Sequence, residues 1–255
     1  MKIHHLRNAT FIIEHQDRFI LVDPMLGKKG SGSPFTLFRF KPLKNPTIEL
    51  PAHADQILSK VTHGLVTHLH PDHIDDEAIS FLKERNIPIV CSALDRKVLA
   101  KKGLRIELAL TYDAAQDYLD GRIVGIMAVH GYGFVRKIAG NVMGFYLELP
   151  DGPSIYISSD TVYTEHVDQA LQSYQPDITV VAAGMAQLDL GKLLLMDRDD
   201  ILRLVHQAPG RVLANHMEAL NHCPNTRADL RELLQAHDLL TKVDIPEDGE
   251  TVTYG

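Results

Sequence analysis

The sequence predicts an α+β fold, and two observations support that prediction. Short apolar runs rich in β-branched residues, typical of buried strands, alternate along the chain with segments whose apolar residues follow a helical period. No stretch has the composition of a linker, so we expect residues 1–255 to form a single domain. Hydrophobic residues make up 45% of the sequence, which is enough to build a large core at this length.

The strand-like runs begin with a hairpin, because two apolar runs flank the turn residues Gln16 and Asp17. A second strong turn signal, at residues 150–153, joins two of the later runs. The runs predicted as strands are residues 11–13, 19–22, 64–69, 87–90, 106–110, 123–129, 142–149, 154–159, 178–183, 211–214 and 251–254.

Four segments between these strands have an apolar stripe at helical spacing. Each follows a residue whose side chain can accept hydrogen bonds from the first free backbone amides of a helix. The predicted starts of the four helices are Asp75 or Asp76, Thr161, Asp197 and Thr226.

Composition and charge argue against several classes of function. The net charge of −7 argues against a protein that binds a nucleic-acid backbone. The longest apolar stretch, residues 178–186, is too short to cross a bilayer, and we expect no signal peptide. Cys91 and Cys223 are too few for a disulfide framework, so we expect a cytoplasmic protein. The 14 histidines, in a chain without tryptophan, suggest metal binding.

One segment, residues 24–48, has a charge balance of its own. It contains five basic residues and no acidic one, together with three phenylalanines. A long loop with its own aromatic residues is often a lid or a binding loop, and the alternative is an ordinary surface loop.

The strongest motif is T-H-L-H-P-D-H-I-D at residues 67–75. In an extended segment, residues two apart point the same way, so His68 and His70 can bind one cation between them. The proline that follows turns the chain, which lets Asp72 and His73 face a second position nearby. Imidazole and carboxylate groups together suit zinc, manganese or iron.

Other side chains that can bind metals follow the predicted strands. Such residues come at or just after the ends of four further apolar runs, at Asp23, His130, Asp160 and His216. Because a site in an open sheet lies at the carboxyl ends of its strands, we expect these side chains to lie close to the central motif.

This order of motifs resembles the metallo-β-lactamase superfamily over nearly the whole chain, from Asp23 to His216 and beyond. The resemblance implies a four-layer αβ/βα sandwich, with two mostly mixed sheets, helices outside and a binuclear metal site on one edge. The segment from His216 to Cys223, followed by Thr226 and Arg227, is similar to the branch that contains L-ascorbate-6-phosphate lactonase.

The resemblance also implies a ligand set for two divalent metal ions, with zinc or manganese expected first and iron as a further choice. By motif, the ligands are His68, His70 and His130 for the first metal, Asp72, His73 and His216 for the second, and Asp160 as the bridge. Asp23 matches an acidic residue that supports the metal loop rather than binding a metal. Asp23, Asn215 and Glu218 are candidates to orient the ligands.

We therefore expect a hydrolase that uses a metal-bridging hydroxide on a small, anionic lactone or ester. Asp72 and Asp160 would orient the hydroxide. His222 is a candidate proton donor or substrate contact, and a turn histidine bonded to backbone is the alternative.

The expected negative charge of the substrate depends on four basic side chains, which are Lys28, Lys29, Arg39 and Arg227. Arg227 could equally form a surface ion pair. The apolar residues of segment 188–196 could form either core or a wall of the substrate pocket.

Three other functions stay open. The same site could serve a phosphodiesterase or nuclease, although the net charge argues against nucleic acid as a partner. A non-catalytic member of the fold would bind a ligand without hydrolysing it, and a mononuclear iron oxygenase would bind one metal. A small molecule is the expected partner, no membrane contact is expected, and a homo-oligomer stays open.

Overall fold

Two seven-stranded sheets pack face to face, with helices on their outer faces. The structure is a computed structural model that describes residues 1–137 and 139–255. The strands are β1 (Lys2–Arg7), β2 (Thr10–His15), β3 (Arg18–Val22), β4 (His63–Leu65), β5 (Pro88–Ser92), β6 (Arg105–Leu110), β7 (Ala115–Tyr118), β8 (Gly121–Met127), β9 (Met143–Glu148), β10 (Ile155–Ile157), β11 (Ile178–Ala182), β12 (Arg211–Asn215), β13 (Val243–Asp244) and β14 (Thr251–Thr253). The α-helices are α1 (Ala54–Leu58), α2 (Asp76–Glu84), α3 (Arg96–Lys101), α4 (Glu165–Tyr174), α5 (Arg198–Gln207) and α6 (Arg227–Ala236), and 3-10 turns cover Val135–Lys137 and Leu240–Lys242. Within the described ranges, none of these helices has both the length and the apolar character needed to cross a membrane.

Both sheets are mixed, as the α+β prediction and the resemblance implied. The first has the order β14-β1-β2-β3-β4-β5-β6, and its strands from β3 to β6 run parallel. The second has the order β13-β12-β11-β10-β9-β8-β7, and its strands from β10 to β13 run parallel. Residues that follow the parallel strands therefore collect at one edge of each sheet.

The strands divide their side chains between three core layers. On β2, Phe11 and Ile13 face the layer between the two sheets, whereas Ile12 faces α1 to α3. Phe145 and Val180 contribute to the same central layer from the second sheet. Because both faces of these strands are covered, their sequences are continuously apolar rather than alternating.

Several predicted elements are confirmed. The N-terminal hairpin pairs Ile13 with Ile20, and its turn residue Gln16 has a φ of 55°. The side chains of Asp75, Asp197 and Thr226 each accept a backbone N–H from the first turn of α2, α5 and α6.

Two predicted boundaries are wrong. The helix predicted to start after Thr161 begins at Glu165, because the chain stays extended as far as Thr164. The strand predicted over residues 64–69 ends at Leu65, because the amide of Thr67 donates to a side chain instead of a neighbouring strand. The short elements α1, α3, β7 and β13 were not predicted, and neither was β1, whose sequence KIHHLR has no apolar alternation.

Candidate metal centre

Seven side chains come together in two groups at the edge where the strands end. Within each group, one ligand atom from every residue lies within 4.8 Å of the others. The groups are His68, His70 and His130, and Asp72, His73, Asp160 and His216. All seven are buried except His70, which is partly exposed. The structure thus brings together every residue that the sequence proposed as a metal ligand.

The first group is formed by the turn after β4 and by the residue three positions beyond β8. His68 Nε2 lies 3.0 Å from His70 Nδ1, so these two nitrogens face the same point. The ring of His130 lies 5.1 Å from that of His70, centroid to centroid. Three imidazoles around one point form a set that suits a divalent transition metal.

The second group contains two imidazoles and two carboxylates. His73 Nε2 lies 3.2 Å from His216 Nε2 and 3.3 Å from Asp160 Oδ2. Asp72 Oδ2 lies 3.3 Å from His216 Nε2. Asp160 Oδ2 also lies 3.6 Å from His130 Nε2, which belongs to the first group. Asp160 therefore contacts both groups, as a bridging ligand must.

Asp23 orients the second group without belonging to it. Its Oδ2 accepts hydrogen bonds from His73 Nδ1 at 2.8 Å and from the Thr67 hydroxyl at 2.7 Å, and its Oδ1 accepts one from the Thr67 amide at 2.8 Å. Because a carboxylate can only accept, Nδ1 of His73 carries the proton and Nε2 keeps its lone pair for a metal. The structure thus places Asp23 in the supporting position expected for it.

Two of the other imidazoles, those of His68 and His130, are oriented in the same way. His68 Nδ1 donates to the Thr67 hydroxyl at 2.9 Å, since that hydroxyl gives its own proton to Asp23. His130 Nδ1 donates to the carbonyl of Leu194 at 3.0 Å. These bonds fix the tautomers and leave Nε2 of both rings free to bind a metal.

Cys223 and Asn8 support the site and were not predicted to do so. Cys223 Sγ lies 3.6 Å from His216 Nδ1. Asn8 donates from its side chain to the carbonyl of Asp72 at 3.0 Å, and its own carbonyl accepts from the amide of His216 at 2.9 Å. Asn8 follows β1, so no local motif connected it with these ligands.

The charges in the second group favour a cation. Burial alone would lower the pKa of His73, but Asp160, Asp23 and Asp72 together raise it to about 10. Burial alone would raise the pKa of Asp160, but His216 and His73 hold it well below its usual range. The carboxylates therefore need positive charge at this point, which protons supply in the absence of a metal.

The residues also fit metal ions by their unsatisfied atoms. Asp160 Oδ1 is buried, and within the described part of the chain it accepts no hydrogen bond. His216 Nε2 lies 3.5 Å from it. A buried carboxylate oxygen without a hydrogen bond is costly, and a bound cation removes that cost. The imidazole and carboxylate set suits zinc, manganese or iron.

A cavity of about 230 Å³ opens onto the two groups. Apart from ligands, its walls are His222 and the apolar residues Phe35, Pro71, Val135, Ala139, Leu188 and Leu194. Two residues of the apolar segment 188–196 thus line the pocket, which was one of the two interpretations of that segment.

His222 lies on the wall of this cavity. It is 5% exposed, and its ring meets the ring of Phe35 edge to face at 4.8 Å. Burial would lower the pKa of His222, but Cys223 and Asp72 raise it overall. The structure thus places His222 beside the ligands, in a position to contact a substrate.

The four basic residues proposed to contact an anionic substrate are not at the cavity. Arg227 is buried, donates to the carbonyl of Pro246 at 2.7 Å and pairs with Asp248 at 2.6 Å and with Glu218. Among the lysine and arginine side chains that the structure describes, none lines the cavity. Lys28, Lys29 and Arg39 are exposed instead, and Arg39 Nε donates to the carbonyl of Leu188 at 2.7 Å.

Of the other two residues expected to orient the ligands, Asn215 lies beside them, whereas the side chain of Glu218 pairs with Arg227. Glu218 pairs with Arg227, and its backbone carbonyl accepts from the Thr47 hydroxyl at 2.8 Å. Asn215 ends β12 directly before His216 and lies close to His73 and Asp160 around a small internal space.

The basic segment 24–48 is fastened at three points. Arg7, which is fully buried, donates to the carbonyls of Met25, Gly27 and Ile48. Asp189 accepts from the amides of residues 37, 38 and 39 at 2.8–2.9 Å. Asn221 accepts from the amide of Phe35 at 2.9 Å. The segment therefore forms a wall of the cavity through Phe35.

Comparison with known proteins agrees with this geometry. The family model "Beta-lactamase superfamily domain" matches residues 18–229. The UPF0173 protein YddR of Bacillus subtilis is 32% identical over 257 residues, with 100% of both sequences covered. A possible metal-dependent hydrolase from Veillonella parvula has a TM-score of 0.91 and 29% identity, with 100% of this chain and 99% of that chain covered. An isothiocyanate hydrolase from Delia radicum gut bacteria has a TM-score of 0.89 and 30% identity, with the same coverage of both chains.

Proposed function

This chain belongs to the metallo-β-lactamase superfamily and is a metal-dependent hydrolase, and from that premise we propose that it uses two metal ions to hydrolyse small, uncharged electrophiles. The observation that supports this most strongly is that four of the seven clustered candidate ligands, from both groups, line one cavity whose other walls are mostly apolar. Both cysteines are buried and unpaired, which suits the reducing cytoplasm that we propose as its location.

The ligands divide into two sets around a shared carboxylate. His68, His70 and His130 would hold one ion, Asp72, His73 and His216 would hold the other, and Asp160 would contact both. Divalent zinc or manganese ions bound there would lower the pKa of a bound water towards neutrality and polarise the electrophile.

The protein's own groups have separate roles in this proposal. Asp72 and Asp160 would orient the attacking water, because each carboxylate can accept a hydrogen bond as well as bind a metal. His222 would donate a hydrogen bond to the substrate, since it lines the cavity beside the metal ligands and an imidazole ring can donate from a nitrogen. The apolar walls would exclude bulk water from the reacting atoms.

The walls of the cavity determine the substrate class that we propose. Away from His222 and the metal ligands, an anionic substituent would be buried among apolar side chains with no described lysine or arginine to pair with it, which is costly. An uncharged substituent would instead gain free energy from burial. The apolar side chains that line the cavity therefore favour uncharged lactones, esters or isothiocyanates over the anionic lactone or ester expected from the sequence.

The similarity to an isothiocyanate hydrolase over the full length of both chains makes isothiocyanates the first of these classes to test. In that reaction water adds to the central carbon of R–N=C=S, and the bond between carbon and the substituted nitrogen breaks. The products are the amine R–NH₂ and carbonyl sulfide, so every atom of water and substrate is accounted for.

A panel of four substrates tests the proposal. Zinc- and manganese-loaded protein is assayed with allyl isothiocyanate, γ-butyrolactone, phenyl acetate and bis(p-nitrophenyl) phosphate. We expect metal-dependent hydrolysis of at least one uncharged compound, and a loss of about a thousand-fold or more in H68A. The matched control H206A changes an exposed histidine and keeps full activity. A preference for the phosphodiester, or hydrolysis without metal, would overturn the proposal.

A further inference from the structure

A second and larger groove lies next to the metal cavity. Its volume is about 640 Å³, and it runs between the basic segment 24–48 and the helices α2 and α3. Its deeper surface is apolar and includes Met25, Ile74 and Leu99, which are all buried. Its outer edge is polar and exposed to solvent, and it includes Ser33, Asp76, Glu77 and Lys102. Nothing in the hydrolysis proposed above uses this groove.

The groove and the metal cavity share two walls. Phe35 and Pro71 line both of them, so the two spaces are neighbours. Phe35 is held in place from the metal side, because its amide donates to Asn221 and its ring contacts His222. A substrate group that lies beside Phe35 in the metal cavity is therefore next to the groove on the other side of that ring.

The charges around the groove indicate the chemistry of its occupant. Asp75 lines it, but both of its carboxylate oxygens already accept hydrogen bonds, from the amides of Gly27 and Ala78. This carboxylate therefore does not require a cationic partner. Apolar depth with a polar rim suits an uncharged hydrocarbon group, which gains free energy from burial.

We propose that this groove binds the non-reacting part of the substrate, an uncharged alkyl or aryl group, while the reactive carbon lies among the metal ligands. This inference rests on the proposed function. The metal cavity alone, at about 230 Å³, is smaller than typical ligand pockets of roughly 300–1,000 Å³, whereas the two spaces together reach that range.

Alkyl hydroxamates test the groove without depending on turnover. The hydroxamate group binds metals, and the chain length varies from acetohydroxamate to octanohydroxamate. Dissociation constants for zinc-loaded protein come from titration calorimetry. We expect octanohydroxamate to bind at least about thirty-fold more tightly than acetohydroxamate, because its methylenes are buried in the groove.

A substitution in the groove then tests whether the alkyl chain of the hydroxamate lies there. Val98 lines the groove and is 43% exposed, so V98W should fill the groove and reduce the ratio of the two dissociation constants to about three-fold or less. The matched control L94W, at a residue 69% exposed that does not line the groove, should keep the wild-type ratio.

The outcomes separate this inference from the proposed function. Equal affinity for short and long hydroxamates, or an unchanged ratio of dissociation constants in V98W, overturns the proposal that the groove binds the substrate, even if the protein hydrolyses isothiocyanates. Failure to bind any hydroxamate also overturns it. If affinity rises with hydroxamate length in the wild type but not in V98W, the groove is supported as a binding site. This holds even if no substrate of the panel is hydrolysed and the proposed function is wrong.

Discussion

Asp23 provides a direct test of how the metal centre is built. In D23N, the side-chain oxygen can still accept from the amide of Thr67, so the local shape is retained. The amide nitrogen then faces Nδ1 of His73 in place of the carboxylate oxygen that accepts from it at 2.8 Å. An amide N–H can only donate, so Nδ1 must become the acceptor and the proton moves to Nε2. A protonated Nε2 has no lone pair for a metal.

The magnitude follows from that change of tautomer. Loss of a group that orients a metal ligand typically costs 10–100-fold in metal affinity. Because His73 belongs to only one of the two groups, D23N should lower the affinity for one metal ion by about that factor and leave the affinity for the other unchanged. Its free energy of unfolding should fall by about 1–3 kcal/mol, since one charge-assisted hydrogen bond is lost.

The assay is a competition titration of zinc against a chromophoric chelator, fitted to two sites. The matched control is D117N, an exposed aspartate on β7, which should bind both metals like the wild type. If D23N also binds two zinc ions with wild-type affinities, then Asp23 does not set the tautomer of His73 and the reasoning fails.

Three further predictions concern the bridge, the protons and the buried arginine. D160N should lower the affinity for both metal ions and reduce kcat/KM by at least about a thousand-fold in the substrate panel, because Asp160 contacts both groups. Loss of only one metal ion contradicts a bridging role. His73 has a pKa raised to about 10 and the pKa of His216 is also raised well above its ordinary value, so metal binding at that site must expel at least one proton at neutral pH. Zinc affinity there should therefore rise at least about tenfold per pH unit from pH 6.5 to 8, and a flat profile by calorimetry contradicts this. R227M should lower the free energy of unfolding by about 2–3 kcal/mol in urea titrations, because Glu218 and Asp248 both lose the guanidinium that pairs with them, while kcat/KM stays within about two-fold. A large rise in KM at unchanged stability would instead support a substrate contact.

The metal ligands were predictable because they follow strand ends. His130, Asp160 and His216 each come after a continuous apolar run, and parallel strands bring their carboxyl ends to one edge. The local spacing of residues 67–75 added the remaining ligands. Both signals are short-range patterns or follow directly from sheet geometry, and neither depends on the details of side-chain packing.

The surroundings of the ligands were not predictable in the same way. Cys223 contacts His216 across a turn, and Asp189 binds amides of residues about 150 positions away, at Leu37 to Arg39. Such contacts depend on how loops pack, for which the sequence has no periodic signal. The interpretation of Arg227 as a substrate contact had the same origin, because charge is visible in a sequence and its buried partners are not.

The basic segment 24–48 reaches the cavity through a side chain that its charge composition did not single out. Its lysines suggested a surface for an anion, yet the side chain that reaches the cavity is Phe35. An aromatic residue in a loop, held by a side-chain amide such as that of Asn221, forms a wall more readily than a flexible lysine does.

The central claim is that one chain binds two metal ions at the end of an apolar cavity. Protein purified without chelators, loaded with zinc or manganese and then desalted, can be measured by inductively coupled plasma mass spectrometry. We predict about two metal ions per chain for the wild type and a clear loss in D160N. A wild-type value of about one, or no bound metal, would contradict the binuclear centre and the reaction proposed from it.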